Sequence, residues 1–119
     1  MELTEHIAQF LRDNDFTGAT NGIMPMEPDR IVTVYATGLL KPRDPDGSRF
    51  QVIVRSERDN DTALGDALRI IDLLDEFEGL LTIDSPYILR MAAESGAANL
   101  GADGNGRLSY SINFRAWYC

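Results

Sequence analysis

The sequence is poor in the residues that usually carry chemistry. It has one cysteine, Cys119, and one histidine, His6. A disulfide framework within the chain is therefore excluded, and a cysteine-based metal site lacks its other ligands. The thiol of Cys119 invites only adventitious cross-linking between copies. His6 falls in an acidic segment that reads as a helix, away from any Ser–Asp cluster, so nucleophilic catalysis finds no second member. No apolar run approaches the ~20 residues that span a bilayer. The opening MELTEHIAQF carries acids where a signal peptide requires bases. No membrane partner is expected, and the chain is expected to stay in the cytoplasm where it is made. Lysine is nearly absent as well, since Lys41 stands against ten arginines. That bias fits a GC-rich genome, or the strength of arginine in interfaces.

Positive charge is scarce overall. Eleven basic residues face 19 acidic ones, for a net charge of −8 and a pI near 4.4. Proteins that hold nucleic acid by neutralising phosphates show the opposite balance, so sequence-specific nucleic-acid binding is not expected. Three acidic loops invite a calcium reading: Asp44 with Asp46, Asp59 with Asp61, and Asp103 with Asn105. None supplies the alternating ligands and closing Glu of an EF-hand, and all read as Asx turns or helix caps. Gly101, Gly104 and Gly106 precede a strand instead of following one, out of register for a dinucleotide fingerprint. No catalytic residue, metal site or cofactor is assigned. A small acidic enzyme built on loop carboxylates stays open as an alternative, because 19 acids always offer some pair.

What the sequence does contain is pattern. At 119 residues it is one domain, spanning 1–119. Residues 3–13 read as a short helix with Leu3, Ile7, Phe10 and Leu11 on one side. Gly18, Gly22, Pro25 and Pro28 then mark a long connection. Strands follow at 31–35 and around Phe50, Val52 and Val54, separated by the turn-rich loop KPRDPDGS at 41–48. A long helix should start at a cap supplied by Asp59, Asp61 or Thr62 and run to about Glu78, with Gly79 as its stop. Its apolar surface is unusually wide. Leu64, Leu68, Ile71 and Leu74 make one ridge; Ile70, Leu73 and Phe77 make a second. Either the sheet and the first helix cover the two ridges, or a neighbouring subunit covers part of the second.

Residues 80–83 and 87–93 read as strands, the latter with Tyr87, Leu89 and Met91 in alternation. The glycine-rich stretch 96–107 reads as a mobile loop. The closing strand is the cleanest, with Leu108, Tyr110, Ile112, Phe114 and Ala116 on one face. Trp117 and Tyr118 either finish the core or anchor an interface. The order helix, two strands, helix, three strands predicts an α+β fold. Its sheet should be largely antiparallel, with mixed pairing left open, and have about four to five strands packed against two helices.

The succession PDRIVTVYATG, FQVIVRSER, ALGDALRIIDLLDEFEGL and LGADGNGRLSYSINFRAW resembles the small minor-capsid or tail-terminator proteins of long-tailed bacteriophages and prophages. The passages Phe50 to Leu74 and Gly101 to Phe114 carry most of the likeness, the latter through Asp103, Asn105, Gly106, Arg107, Tyr110, Asn113 and Phe114. The KPRDPDGS loop and the Trp117–Cys119 ending stand apart from it. The resemblance implies a virion structural protein, not an enzyme. It would form a homo-oligomeric, hexameric ring at the head-proximal end of the tail tube. Its partners would be the tail tube protein and the head connector or head-closure protein, with DNA passing through the lumen. Its place would be the tail-neck region of the virion, after assembly in the host cytoplasm. Another neck component, or an adaptor that binds a peptide along a sheet edge, remains an alternative.

A ring closed by heterologous contacts needs two different complementary patches. The candidate interface residues are Arg43, Asp44, Asp46 and Arg49 around the loop, and Ile70, Leu73 and Phe77 on the helix. To these are added Asp103, Asn105 and Arg107 in the glycine-rich segment, and Trp117 and Tyr118 near the end.

Overall fold

The computed structural model describes residues 2–56 and 60–119; Asp59 as a cap lies outside them. Helix α1 (Leu3–Asp13) buries Leu3, Ile7 and Leu11, one per turn. It ends where the Asn14 side-chain amide donates to Phe10 O and Phe16 N–H to Leu11 O. Asp15 there takes a left-handed backbone. The two-residue strand β1 (Thr20–Asn21) runs parallel to β2 (Ile31–Ala36). Strand β3 (Ser48–Ser56) follows, then helix α2 (Asn60–Leu74), β4 (Gly79–Leu80), β5 (Tyr87–Ala93), β6 (Ala98–Ala102) and β7 (Leu108–Tyr118).

The strands form one mixed seven-stranded sheet in the order β1-β2-β3-β7-β5-β4, with β6 also paired to β7. Strand β7 is its spine. One edge pairs with β3 along nine consecutive positions, from Ser48↔Ala116 to Ser56↔Leu108. The other edge is shared end to end by β6, which pairs its first half, and β5, which pairs its second. The registers stack inward-facing residues into layers: Val32–Val54–Tyr110, Val34–Val52–Ile112 and the pair Phe50–Phe114. The Phe50 and Phe114 rings lie nearly parallel with centroids 5.1 Å apart, adding to the burial of each. Helix α2 packs over β3, β7 and β5, and α1 over β1 and β2. Helix α1 also bridges the two ends of the strand order. Glu5 accepts from Asn21 on β1, while His6 Nδ1 lies 3.1 Å from Thr82 Oγ1 just beyond β4.

The α+β class holds, but the expected strand count was low. Two strands escaped periodicity. β1 is too short to alternate, and β6 lies in the 96–107 stretch read as a mobile loop, although it pairs with β7 from Ala98 to Ala102; the strand expected at 80–83 is only the two-residue β4. In β5 the expected face is also wrong. Ile88 and Met91 are buried while Tyr87 and Leu89 are exposed. A register shift between Ile88 and Arg90 interrupts the two-residue repeat.

Helix α2 stops at Leu74, four residues before the expected end. The next residues turn toward the sheet: Glu76 has a positive φ, its N–H donates to Met91 O, and the Asp75 carboxylate accepts from Ala93 N–H. Asp61 and Thr62 lie inside the helix and not at its cap. Its fully buried stripe is Ala63, Asp66, Ala67, Ile70 and Leu74, with Leu64, Ile71, Leu73 and Phe77 packed against the core; of the two expected ridges only Leu68 stands clear. Leu68 is half exposed, whereas Ile70 is wholly buried. Phe77 beyond the helix meets Phe10 of α1 edge to face at 5.1 Å.

Truncating Phe114 to Ala should remove about 3–5 kcal/mol of stability, because the Phe50 stack and the layer around it lose a ring. Leu68→Ala should change stability by less than about 0.5 kcal/mol. Urea denaturation followed by circular dichroism measures both.

Candidate assembly surfaces

The KPRDPDGS loop is built as a fixed platform on the outer face of the sheet, away from the helices. Ser48 Oγ closes its base, accepting from Lys41 N–H and donating to Lys41 O. Arg43 N–H donates to Tyr118 O at 2.8 Å. From beneath, Trp117 Nε1 donates to Pro45 O at 3.0 Å and Arg115 Nη1 to Asp46 O at 3.0 Å. The close approach requires a glycine at its end. A Cβ on Gly47 would lie 2.6 Å from Arg115 Cγ and 2.9 Å from Trp117 Cε2, and its φ is +78°. Arg43, Asp44, Asp46, Arg49, Trp117 and Tyr118 are thus brought to one end of the molecule. Arg43, Asp46 and Arg49 are exposed, whereas Asp44 and Trp117 are half-buried.

Around Trp117 the outer face carries a charge network. Glu94 accepts from Arg115 at 2.7 Å and pairs with Arg49 at 3.4 Å, while Arg90 pairs with Glu76 at 2.9 Å. The guanidiniums of Arg90 and Arg115 lie over the indole at 5.4 and 5.8 Å. Tyr118 is buried, so it is part of this subunit's core and not a free contact; burial also pushes its phenol pKa up.

Asp103, Asn105 and Arg107 lie at the opposite end of β7. Only Asp103 and Asn105 are exposed. Arg107 is 7% exposed and corrects the expectation that it forms an interface. Its Nε donates to Asp103 Oδ2 at 2.7 Å and its Nη1 to Met26 O at 2.7 Å. Arg55 beside it spends its donors on the carbonyls of Pro25, Met26, Pro28 and Asp29. Two arginines therefore hold the 25–29 segment through backbone oxygens. Burial first, then the Arg107 charge, lowers the Arg55 pKa, yet a guanidinium stays protonated in a protein. Asp103 is held below the usual carboxylate range, first by the Arg107 backbone amide. Its contribution is present at neutral pH and is lost only as pH falls through that lowered value.

The helix candidates divide. Ile70 is 0% exposed, so it is core and cannot meet a neighbour; Leu73 and Phe77 remain partly open. Sequence reasoning passed over Asp66, a buried acid held by Arg30 at 2.6 and 2.8 Å. It borders a cleft of about 190 Å³ with Phe16, Ala19, Ile31 and Val32, below the ~300 Å³ at which ligand sites begin. Leu39, 91% exposed at the foot of the loop, was also missed, as was Ile83, equally open. A lone leucine beside a turn gives periodicity nothing to detect. Among the described residues no three His, Cys, Asp or Glu side chains converge as metal ligands.

The sequence model of the family described as bacteriophage tail terminator protein matches residues 8–118. The chain belongs to that family. As a tail terminator family member it is a phage virion structural protein and not an enzyme. The match takes in the KPRDPDGS loop and both Trp117 and Tyr118, which the resemblance of sequence pattern had left aside. The fold is similar to that of a chain in the virion of a native gene transfer agent particle. That likeness has a TM-score of 0.73 at 16% identity and covers 98% of this chain and 94% of the other. No curated protein matches the chain in sequence.

Gly47→Ala should destabilise the terminator fold by about 1–3 kcal/mol, combining left-handed strain with displacement of Arg115 and Trp117. Trp117 is the only tryptophan, so its emission should shift to the red as the loop lifts. An unshifted spectrum and unchanged stability would show that the loop does not rest on it.

Proposed function

We propose that this chain, as a single tail-terminator-like domain, caps the head-proximal end of a phage tail tube and joins it to the head connector or head-closure protein. It does so as a hexameric ring in the tail-neck region, having assembled in the host cytoplasm. The family match across residues 8–118 carries the reading. The charge of the chain agrees with it. A surface with net charge −8 around a DNA conduit would let the duplex pass without sticking. Two arginines that would oppose this are restrained, since Arg107 is buried and Arg49 is paired with Glu94, while Arg43 stays exposed. Two chemically different surfaces are also at hand, as heterologous ring closure requires. One is the loop platform bearing Arg43 and Asp46, and the other is the helix side bearing Leu73 and Phe77.

Light scattering after size exclusion should find a sixfold multiple of the 13.2 kDa subunit, either alone or once tube protein is added. Negative-stain images should show closed rings of that species. Adding the chain to polymerising tube protein should shorten the tubes and place density at one end. Tubes that grow to the same length with and without it would sink the capping role. Connector binding with unchanged tube length would instead support another neck component.

A further inference from the structure

Almost every described cation in this acidic chain is engaged. Arg12, Arg55 and Arg107 donate to backbone carbonyls, and Arg30, Arg49, Arg69, Arg90 and Arg115 meet carboxylates. Among the described cations only Lys41 and Arg43 have no side-chain partner, and both are exposed. They stand beside Leu39, 91% exposed, on a loop pinned from beneath by Trp117 and Arg115. Arg43 also holds a left-handed φ of 60°, a conformation that non-glycine residues adopt at some cost. The segment 39–48 is therefore a rigid knob that exposes one apolar side chain, two unpaired cations and the acid Asp46, on a subunit whose net charge is −8.

The other side of the same subunit offers the complement. On the solvent face of α2, Leu68 is half exposed and Asp72 follows one turn later, exposed and without a cation partner. Beside them Leu73 and Asp72 line a shallow concavity of about 260 Å³ together with Asn14, Asp15 and Arg69, the last two paired with each other at 3.6 Å. Helix α2 covers the inner face of the sheet, whereas the loop lies on its outer face, so one molecule cannot join the two. We propose that the occupant of each is a second copy of this chain. Leu39, Lys41 and Arg43 of one subunit dock against Leu68, Asp72 and Leu73 of the next. The contact is heterologous, joining unlike patches, and so propagates around a closed ring. It rests on the ring reading above and specifies the contact that closes it.

Charge reversal tests it on the full chain. Lys41→Glu with Arg43→Asp should keep the wild-type circular dichroism spectrum and raise the concentration for half-assembly at least ~10-fold, read by light scattering. Asp72→Arg alone should do the same. Combining all three should restore assembly, because the pair is re-formed with its signs exchanged. Rings in both charge variants at wild-type concentrations would overturn the contact while leaving the ring reading intact. Weakened assembly without rescue in the triple variant would also overturn it. A wild type that never associates with itself would overturn it too; tube shortening, measured separately, would then still decide whether the chain caps tubes.

Discussion

The structure depends on two-sided pairing along β7. An eleven-residue strand at about 3.3 Å per residue reaches ~36 Å, close to the 41 Å long axis of the molecule. Its inward residues, from Tyr110 to Tyr118, supply one wall of the core, and its outward residues Arg115 and Trp117 support the loop on the other face. Because its partners lie on both sides, β7 leaves no backbone edge of its own exposed. The open edges are passed outward to short strands, β1 and β4, or to the bulged β6. Short and kinked edges are the usual means by which sheet proteins avoid uncontrolled pairing.

Charge is used in two distinct ways. Arg55 and Arg107 are structural cations, buried and turned toward carbonyl oxygens, so that they order a proline-rich segment with no regular secondary structure. Such donors compete poorly with water unless the geometry is fixed, and here four carbonyls converge on Arg55, while Arg107 is held by the Met26 carbonyl and the carboxylates of Asp103 and Asp29. Arg90 and Arg115 instead sandwich their charge between an indole and a glutamate on an open sheet face. The acidic balance of the chain thus coexists with a near-complete local use of its few cations. That economy makes the free Lys41 and Arg43 informative.

Much of the fold was legible because its largest elements alternate cleanly. Phe50, Val52 and Val54, and Tyr110 through Ala116, face inward as the pattern of residues requires. The boundaries of α1 were equally clear, since Leu3, Ile7 and Leu11 repeat without interruption. Failure began where tertiary contacts replaced local rules. The bulge in β5 put Ile88 inward and Tyr87 and Leu89 out, leaving only Met91 on the expected face. The pull of β5 on Asp75 and Glu76 ended α2 early, and β6 formed on the edge of β7 despite weak strand propensity in ANLGA. Among the candidate interface residues, Ile70, Arg107 and Tyr118 were misplaced for a common reason. A large or charged residue in a promising segment is not marked by sequence as buried or free, and here each is buried.

The position of β7 in the chain has a consequence for synthesis. Every other strand that meets it, β3, β5 and β6, is made earlier and has no continuous path to the others without it. A nascent chain that has emerged only through β6 holds the pieces β1-β2-β3 and β4-β5, but not the strand that joins them into one sheet. Completion of the sheet must wait until the stretch 108–118 has been made, and non-local pairing of this kind is slow. The loop platform waits too, because Trp117, Arg115 and Tyr118 belong to that stretch. A chain in which β7 has not yet paired therefore lacks the platform as well as the joined sheet.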